Sequence, residues 1–440
     1  MKAISLFSSS GIGDLGLKAN GITTVVANEL IPERAELFET NFPEARMFVG
    51  DIWDVKQDII DFYTELYKEN PFLIIATPPC QGMSSNGMGK ILSDYRKGLR
   101  PKFDERNRLI LPTLDIIEAL EPDWVIFENV PNMVNTLIYD EKEELVNIVD
   151  YIFERLGKKY VGMAEVVDVA DYGVPQNRKR LITILSKNEK AKSYFAQTSS
   201  FLPAATHCKK GNLLLQPWRT LRDVLFDIPP LDGRKGKNSR PDFHPLHKVP
   251  LLDEKKYFWI QHTPEGETAF NNQCQNPDCM FDGNARHGAS KRKGINQANR
   301  DTPLYCEKCG SLLPRPYVKD KETGSLRLMR GYVSAYKRMK WDEPASTITQ
   351  NFQYVSSDNK IHPSQNRVLS IYEALILQTI ADYDYSFEVD GRLVRDGLIR
   401  DTIGESVPPL LIDLLCRNII EISLHLDKNS KQRAKISITT

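Results

Sequence analysis

Apolar and polar positions follow two different periods along the first 190 residues of the chain. Short apolar runs bounded by turn residues predict β-strands. Five such runs span Ala3 to Phe7, Thr23 to Glu29, Phe72 to Thr77, Asp123 to Val130 and Arg180 to Leu185. The segments between them, 31–42, 59–70 and 108–120, place apolar residues near helical spacing. This alternation of strand and helix predicts a parallel, doubly wound α/β sheet.

The pattern changes near residue 190, where Pro, Gly, Lys, Arg and Asn become frequent and periodicity weakens. The segments 232–248 and 286–300 are basic and rich in turn residues, and helical spacing returns at 369–380 and 408–424. These changes predict three segments. They are an α/β domain over 1–190, a smaller, loop-rich domain over 191–345, and a return segment over 346–440 that completes the first domain.

The predicted sheet should bind a ligand at one edge, because doubly wound sheets hold ligands at the carboxyl ends of their strands. A turn of small residues, Ser8 to Gly13, follows the first strand and would let backbone amides approach an anionic group. Glu29 ends the second strand, where a carboxylate could bind both hydroxyls of a ribose. Asp51 comes next and could accept a hydrogen bond from an adenine amino group. Each feature alone also fits a plain turn or a solvated loop acid, but their order favours a binding edge.

Cys80 follows the third predicted strand and two prolines. Most free cysteines are small buried hydrophobes, and we interpret Cys208 and Cys416 in that way. Cys80 differs because the prolines restrict the backbone before it and a polar loop follows it. A thiolate attacks well when nearby cations lower the thiol pKa from its usual value of about 8.5, and Arg178 and Arg180 are candidate cations. The pattern therefore predicts a positioned nucleophile.

Composition and charge restrict the class of protein. The chain has 440 residues, and its 58 basic and 58 acidic residues give a net charge of zero. A polyanionic partner would have to be held by local basic patches. The N-terminal apolar stretch is too short for a signal peptide, and no run approaches the roughly 18 residues of a membrane span. We therefore expect a cytoplasmic protein with no membrane partner.

Four of the seven cysteines form two close pairs. The spacings Cys274-x4-Cys279 and Cys306-x2-Cys309 are those of a four-cysteine zinc ribbon. In a reducing compartment this pattern favours metal binding over disulfides. We predict a structural zinc site in a module over 270–315, with four unliganded thiols as the alternative.

Three motifs, in order along the chain, resemble those of one family, the DNA cytosine-5 methyltransferases. The motifs are Pro79-Cys80-Gln81, Glu128-Asn129-Val130 and Gln176-Asn177-Arg178-Lys179-Arg180. The resemblance covers residues 1–186 and the region from about 345 to 425. It implies a doubly wound, Rossmann-like, S-adenosylmethionine-dependent methyltransferase domain with a smaller target-recognition domain, and a bacterial enzyme of the restriction-modification type.

The resemblance also assigns chemistry to the motifs. A nucleophile must add at carbon 6 of cytosine before carbon 5 can accept a methyl group, which is covalent catalysis. Cys80 would be that nucleophile. Glu128 would bond ring nitrogen 3 and the exocyclic amine, and Arg180 would bond the carbonyl oxygen of the base. Arg178 would lie close by and completes the predicted catalytic set.

The resemblance implies a set of residues around S-adenosylmethionine. They are Phe7, Ser8, Ser9, Ser10, Gly11, Ile12, Gly13, Glu29, Leu30, Asp51, Ile52, Pro78, Leu109, Glu405 and Val407. The last motif departs from the family pattern, because Glu405 stands where asparagine is usual. A carboxylate there would accept a hydrogen bond from the methionine ammonium but could not donate one as an amide does. The opening motif also departs, with Ser5 in place of its usual acid.

The target carbon is inaccessible inside a duplex, so the base must be flipped out at a cost on the order of a few kcal/mol. The segment after Cys80 resembles the family's mobile loop, and 191–345 stands where the family keeps its target-recognition domain. The predicted DNA contacts are Gln81, Ser84, Asn86, Lys90, Arg106, Thr347 and Thr349. The resemblance implies double-stranded DNA as the partner, a nucleoid-associated monomer, and a cognate restriction endonuclease related by function and not by a stable complex.

Three alternatives stand beside this interpretation. The tRNA-methylating branch of the family has a smaller variable domain and a Cys-Phe-Thr tripeptide, which this sequence lacks. A catalytically inactive DNA-binding homologue is disfavoured because the catalytic residues are present. An unrelated cysteine hydrolase would need a histidine partner, yet all seven histidines lie outside the predicted strand-end edge.

Overall fold

The computed structural model describes residues 1–79, 104–292, 295–298, 302–329, 334–357 and 359–424. Cys80 and the predicted DNA contacts that follow it lie outside the described residues. Those contacts are Gln81, Ser84, Asn86 and Lys90.

A seven-stranded mixed sheet forms the centre of the described structure. Its strands are β1 (Lys2–Leu6), β2 (Thr23–Glu29), β3 (Arg46–Val49), β4 (Leu73–Ala76), β5 (Trp124–Asn129), β6 (Val161–Asp168) and β7 (Lys179–Ser186). The spatial order is β3-β2-β1-β4-β5-β7-β6. Strands β1 to β5 run parallel to one another. The doubly wound α/β class is thus confirmed for this part of the sheet.

The prediction of an entirely parallel sheet is wrong at one strand, because β7 runs antiparallel to both β5 and β6. Only residues 169–178 join β6 to β7, and they hold a 3₁₀ helix and a two-residue strand. A parallel connection needs a dozen or more residues, so the short link makes β7 run back beside β6. Strands β3 and β6 were not predicted, because they lie at the sheet edges, where exposed positions interrupt the apolar pattern.

Helices cover both faces of the sheet. The helices of the described residues, including some away from the sheet, are α1 (Asp14–Ala19), α2 (Pro32–Asn41), α3 (Ile52–Leu66), α4 (Ile110–Leu120), α5 (Ile148–Leu156), α6 (Glu189–Thr198), α7 (Leu221–Leu225), α8 (Glu254–Gln261), α9 (Ile371–Leu377), α10 (Asp396–Glu405) and α11 (Pro409–Leu424). Within the described ranges, none of them is long and apolar enough to cross a membrane.

Alternate residues of β5 point into two different cores, as the two-residue period of a strand requires. Val125 and Phe127 pack with side chains of α3, α4 and α5, whereas Trp124 and Ile126 pack with side chains of α1 and α11. Because α11 comes from the end of the chain, the C-terminal segment 346–424 shares the core of the first domain.

Most residues between α6 and α9 lie in loops and short strands, with the helices α7 and α8 among them, and part of this region packs around a separate core. That core includes Trp259, Phe270, Tyr336 and Ile361. The two-stranded pairs among the described residues are Leu137–Tyr139 with Leu145–Asn147, Gln176–Asn177 with Ala345–Ser346, His207–Cys208 with Gln216–Pro217, Ala289–Arg292 with Ile295–Ala298, Tyr317–Lys319 with Leu326–Leu328, and Glu388–Val389 with Arg392–Leu393. The 3₁₀ helices are Glu105–Leu109, Pro131–Asn135, Val169–Tyr172, Ala269–Asn271 and Ile380–Asp382.

A buried arginine holds these loops together. The Arg338 guanidinium donates to the carbonyl oxygens of Ile260 at 2.8 Å, Thr263 at 2.8 Å and His362 at 2.7 Å. Buried carbonyls need hydrogen-bond donors, and loops without a strand ladder must obtain them elsewhere. Arg338 therefore supplies part of the order that regular secondary structure gives to the first domain.

Candidate functional site

A cavity of about 880 Å³ opens at the carboxyl ends of strands β1 to β5. All predicted cofactor residues except Gly11 line it. They are Phe7, Ser8, Ser9, Ser10, Ile12, Gly13, Glu29, Leu30, Asp51, Ile52, Pro78, Leu109, Glu405 and Val407. The described residues predicted to bind the base or DNA share its wall. They are Glu128, Arg178, Arg180, Arg106, Thr347 and Thr349.

The turn after β1 has an unusual backbone conformation. Phe7, Ser9 and Gly11 adopt positive φ angles of 58°, 49° and 82°. Position 11 requires glycine, because a Cβ there would lie 2.5 Å from a ring carbon of Phe42. Gly11 thus lets α2 approach the back of the turn, and this role explains why it does not line the cavity.

Backbone amides fix the two strand-end acids. Glu29 accepts hydrogen bonds from the amides of Ser9 at 2.9 Å and Ile31 at 2.8 Å, one on each carboxylate oxygen. Asp51 caps α3 and accepts a hydrogen bond from the Trp53 amide at 3.0 Å. A carboxylate has about four lone-pair sites. Both acids can therefore accept further hydrogen bonds from hydroxyl or amino groups of a ligand.

Two buried hydroxyl groups in the cavity wall, Ser9 Oγ and Ser10 Oγ, have no hydrogen-bond partner in the described part of the chain. An unsatisfied buried polar group costs about 1–3 kcal/mol, so a pair of them at a cavity wall points to a polar ligand. A nucleoside with an amino-acid substituent offers groups for these hydroxyls and for Glu29 and Asp51. The donors and acceptors of the cavity therefore fit S-adenosylmethionine.

Glu128 and Arg180 form an ion pair in the same wall. Arg180 Nε lies 2.7 Å from Glu128 Oε1, and both side chains are largely buried. Strand β7 places Ile182 directly opposite Glu128, and Arg180, two residues earlier, points to the same face. The Arg180 Nε–H group is close to Glu128 Oε1 but does not form a hydrogen bond with it. Arg180 therefore orients the carboxylate and leaves Oε1 able to accept a hydrogen bond.

The segment that leads to Cys80 is anchored to the neighbouring strands. Asn129 Nδ2 donates to the carbonyl oxygen of Pro78 at 3.0 Å. Thr77 donates through its hydroxyl to the carbonyl oxygen of Phe7 at 3.0 Å. The motif asparagine beside Glu128 thus has an identifiable task, because it holds the peptide two residues before the predicted nucleophile.

Arg178 is buried, and its guanidinium donates to main-chain carbonyls. The acceptors include Ile348 O at 2.8 Å and Ser406 O at 2.8 Å, with longer bonds to Gly404 O at 3.3 Å. These bonds connect the residue before β7 to the C-terminal segment. The catalytic role predicted for Arg178 stays a prediction, and the contacts favour a positioning role.

The described residues predicted to contact DNA lie at the cavity but have other partners. The Thr347 hydroxyl donates to the carbonyl oxygen of Asn177 at 2.8 Å, beside the short pair that joins Ala345–Ser346 to Gln176–Asn177. Arg106 Nε donates to the Asp104 carboxylate at 2.8 Å. Their DNA contacts stay predictions.

Glu405 has partners that sequence reasoning missed. Arg34 Nη1 lies 2.6 Å from Glu405 Oε2, and Gln350 Nε2 donates to Oε1. Burial raises the pKa of Glu405, and the Arg34 guanidinium opposes this rise. No local motif could reveal this cluster, because its members come from α2, from α10 and from the loop that precedes α9.

The four predicted zinc ligands come together. Their sulfur atoms all lie within 4.8 Å of one another. The Sγ–Sγ distance is 3.6 Å between Cys274 and Cys309 and 3.9 Å between Cys279 and Cys306. A tetrahedral zinc site with bonds of about 2.3 Å places its sulfur atoms about 3.8 Å apart. The cysteine cluster therefore has the dimensions of a four-thiolate metal site.

The fold and the cavity define a class, an α/β methyltransferase that holds a nucleoside cofactor at the carboxyl ends of its parallel strands. A family model described as C-5 cytosine-specific DNA methylase matches residues 1–421. The chain therefore belongs to the C-5 cytosine-specific DNA methylases, and S-adenosylmethionine is the cofactor of this family. The resemblance inferred from the three motifs is confirmed, and with it the predicted activity of a DNA cytosine-5 methyltransferase.

Two relatives show how far the similarity extends. The chain is 30% identical over 426 residues to the Type II methyltransferase M1.HgaI of Avibacterium volantium, covering 94% of this chain and 97% of the relative. It is 30% identical over 234 residues to the Type II methyltransferase M.AquIA of a Picosynechococcus species, covering 52% of this chain and 89% of the relative.

Solved structures of more distant proteins share the fold. The Dnmt2 methyltransferase of S. pombe has a TM-score of 0.51 at 12% identity, covering 97% of this chain and 99% of the other. The methyltransferase EhMeth of Entamoeba histolytica has a TM-score of 0.51 at 13% identity, covering 97% and 98%. At these identities the likeness shows the fold alone.

Proposed function

We propose that this protein methylates one cytosine within a short site in double-stranded DNA, as the modification enzyme of a restriction-modification system. The observation that carries the proposal is the Glu128–Arg180 ion pair, which lies in the cavity wall together with the anchored segment before Cys80. The two Type II methyltransferase relatives support the restriction-modification context. The endonuclease would recognise the same site and need not form a stable complex with this monomeric enzyme.

Cys80 is the proposed nucleophile. Its thiolate adds to carbon 6 of the cytosine, which makes carbon 5 nucleophilic, and it is expelled after carbon 5 has lost its proton. The position of the thiol depends on the peptide before it. Asn129 and Thr77 anchor that peptide at Pro78 and just after β4, so the described chain before Cys80 is fixed to the neighbouring strands.

Glu128 and Arg180 are the proposed base-binding residues. Glu128 would bond ring nitrogen 3 and the exocyclic amine, and would favour protonation of nitrogen 3 as negative charge develops. Arg180 would bond the carbonyl oxygen while its Nε keeps Glu128 oriented. Arg178 would position these residues indirectly, through its hydrogen bonds to the main-chain carbonyls of Ile348 and Ser406.

S-adenosylmethionine, when bound, supplies the methyl group. Glu29 would hold the ribose hydroxyls and Asp51 the adenine amine. The turn from Ser8 to Gly13 would provide backbone amides and the two unpartnered serine hydroxyls. The support for this assignment is that these groups already face one cavity.

DNA would enter with the target nucleotide flipped out, because carbon 5 is inaccessible in a stacked duplex. Residues 191–345 would read the sequence, while 1–190 and 346–440 would form the catalytic domain. Thr347, Thr349 and Arg106 would contact the strand near the flipped base. Gln81, Ser84, Asn86 and Lys90, outside the described residues, would close over it.

The test of substrate class is methyl transfer by the purified protein to duplex DNA and to tRNA in parallel reactions. We expect transfer to duplex DNA that contains one defined site, and none above background to tRNA. Binding to that duplex should weaken steeply with salt, because cationic side chains displace counterions from phosphate. Preferential methylation of tRNA would place the protein in the rival branch of the family.

Zinc is the proposed occupant of the cysteine cluster. Four thiolates leave no open position for water or substrate, so such a site is structural and takes no part in methyl transfer. The cluster joins the two ends of a segment that includes the strands Ala289–Arg292 and Ile295–Ala298. The metal would order this part of the target-recognition domain, whose regular secondary structure is short.

Replacing Cys306 and Cys309 together by serine should remove bound zinc and impair sequence-specific DNA binding. The affinity for S-adenosylmethionine should be retained, because the cofactor cavity lies in the other domain. Metal analysis of the purified protein should give about one zinc per chain in the unsubstituted protein and in a Cys208→Ser control. A fully active protein that carries no metal would contradict this proposal.

A further inference from the structure

Arg34 lies in the cavity wall and has no part in the roles assigned so far, although it pairs with Glu405, a member of the predicted cofactor set. The two atoms in contact, Arg34 Nη1 and Glu405 Oε2, are 2.6 Å apart, and the side chains are 15% and 30% exposed. Gln350 binds the other carboxylate oxygen. Two segments distant in sequence therefore fix both oxygens of Glu405, while the pair keeps access to the cavity.

The main chain that carries Glu405 is fixed as well. Arg178 donates to the carbonyl oxygens of Gly404 at 3.3 Å and Ser406 at 2.8 Å. Gln378 donates to the same Ser406 oxygen at 2.9 Å. A Cβ at Gly404 would lie 2.1 Å from the backbone nitrogen of Gln350, so glycine is required for this close approach. A side chain held at both ends in this way is preorganised for binding.

The negative charges of Glu29 and Glu405 lie in the same wall, and Arg34 compensates part of this charge. Glu29 lies in the same wall, and its charge disfavours ionisation of Glu405. Arg34 compensates one of the two negative charges. The wall consequently presents one cation and one anion close together, beside the acid that is proposed to hold the ribose.

We propose that Arg34 is a further cofactor-binding residue, which pairs with the carboxylate at the α-amino-acid end of the cofactor. The resemblance already implies that the neighbouring Glu405 accepts a hydrogen bond from the ammonium group, so the ion pair would hold both charges of the amino acid. An α-amino acid carries one cation and one anion, so its charges complement those of the pair in both places. The assignment rests on the proposed function, in which S-adenosylmethionine occupies this cavity. It also accounts for the carboxylate at position 405, because Arg34 supplies the donor that an amide would supply there.

Two ligands distinguish this role from a merely structural one. S-adenosylhomocysteine carries the amino-acid end, and 5′-methylthioadenosine lacks it. In calorimetric titrations of the full chain, Arg34→Gln and Glu405→Ala should each weaken S-adenosylhomocysteine binding roughly tenfold. Affinity for 5′-methylthioadenosine should change less than about twofold. The double variant should lose less than the product of the single losses, because the partners act as a unit.

A matched control is available next to the pair, because Glu33 precedes Arg34 on α2 and Arg395 is the N-cap residue of α10, the helix that carries Glu405. Arg395 pairs with Glu33 at 2.6 Å, and both side chains are exposed. Arg395→Gln therefore breaks an ion pair between the same two regions without touching the cavity wall. It should bind both ligands as the unsubstituted protein does.

If Arg34→Gln lowers the affinity for both ligands equally, the pair only shapes the cavity, and the proposal is overturned. Unchanged affinity for both would overturn it too, because the amino-acid end would then lie elsewhere. If Arg34→Gln does not fold, Arg34→Lys replaces it. Lysine keeps the charge without the forked geometry, and S-adenosylhomocysteine alone should bind more weakly. Failure of the unsubstituted protein to bind S-adenosylhomocysteine would instead contradict the proposed function.

Discussion

Replacing Cys80 by serine is expected to abolish methyl transfer while folding and duplex binding persist. A serine hydroxyl at this position lacks the nucleophilicity of a thiolate, and covalent addition to carbon 6 is the step on which the reaction depends. The anchors of the preceding peptide, Asn129 and Thr77, are untouched by this change. The loss should therefore appear in the chemical step and not in stability.

The measurement is transfer of labelled methyl to duplex DNA under single-turnover conditions, with binding and thermal unfolding recorded on the same samples. Cys208→Ser is the matched control, since Cys208 is a free, partly buried thiol that does not line the cavity. It should retain normal transfer. Near-normal turnover in Cys80→Ser would rule out the covalent mechanism.

Replacing Glu128 by glutamine should slow the chemical step by roughly two to four orders of magnitude, the scale of general acid assistance. Glutamine has nearly the same size and keeps an oxygen that can face Arg180, so the cavity wall should keep its shape. What it cannot do is supply a proton to ring nitrogen 3 as negative charge develops. The effect should therefore fall on the rate and much less on DNA binding.

Single-turnover rates at saturating DNA and cofactor separate these effects. Glu165→Gln provides the control, because Glu165 is an exposed glutamate on the edge strand β6, outside the cavity wall. An unchanged single-turnover rate in Glu128→Gln would remove Glu128 from the role assigned to it.

Local signals account for what the sequence could predict of the fold. Strand β2 was predicted with its observed ends, Thr23 and Glu29, because its residues are buried almost throughout and the turn residues Gly21 and Pro32 flank it. Position at a strand end was enough to group Glu29 with the turn after β1, since parallel strands end at one edge of the sheet. Asp51 was added by its order along the chain, because the strand before it, β3, was not predicted. The cysteine spacings were enough to predict the cluster, because short loops must bring such pairs together.

Contacts between distant segments account for what the sequence could not predict. The direction of β7 depends on the short link after β6, and edge strands have mixed polarity that hides their period. The main-chain bonds of Arg178 and the pairing of Arg34 with Glu405 depend on how the C-terminal segment packs against the first domain. Periodicity and motif spacing describe neighbours along the chain and carry no information about such contacts.

The central claim is that this chain methylates carbon 5 of cytosine in DNA. Bisulfite sequencing of DNA from a host that lacks its own cytosine-5 methylation, with and without this protein, tests the claim most directly. The account predicts cytosines that resist conversion at every copy of one short site when the protein is present, and none when Cys80→Ser replaces it. Complete conversion at all sites, despite soluble protein in the cells, would contradict the account.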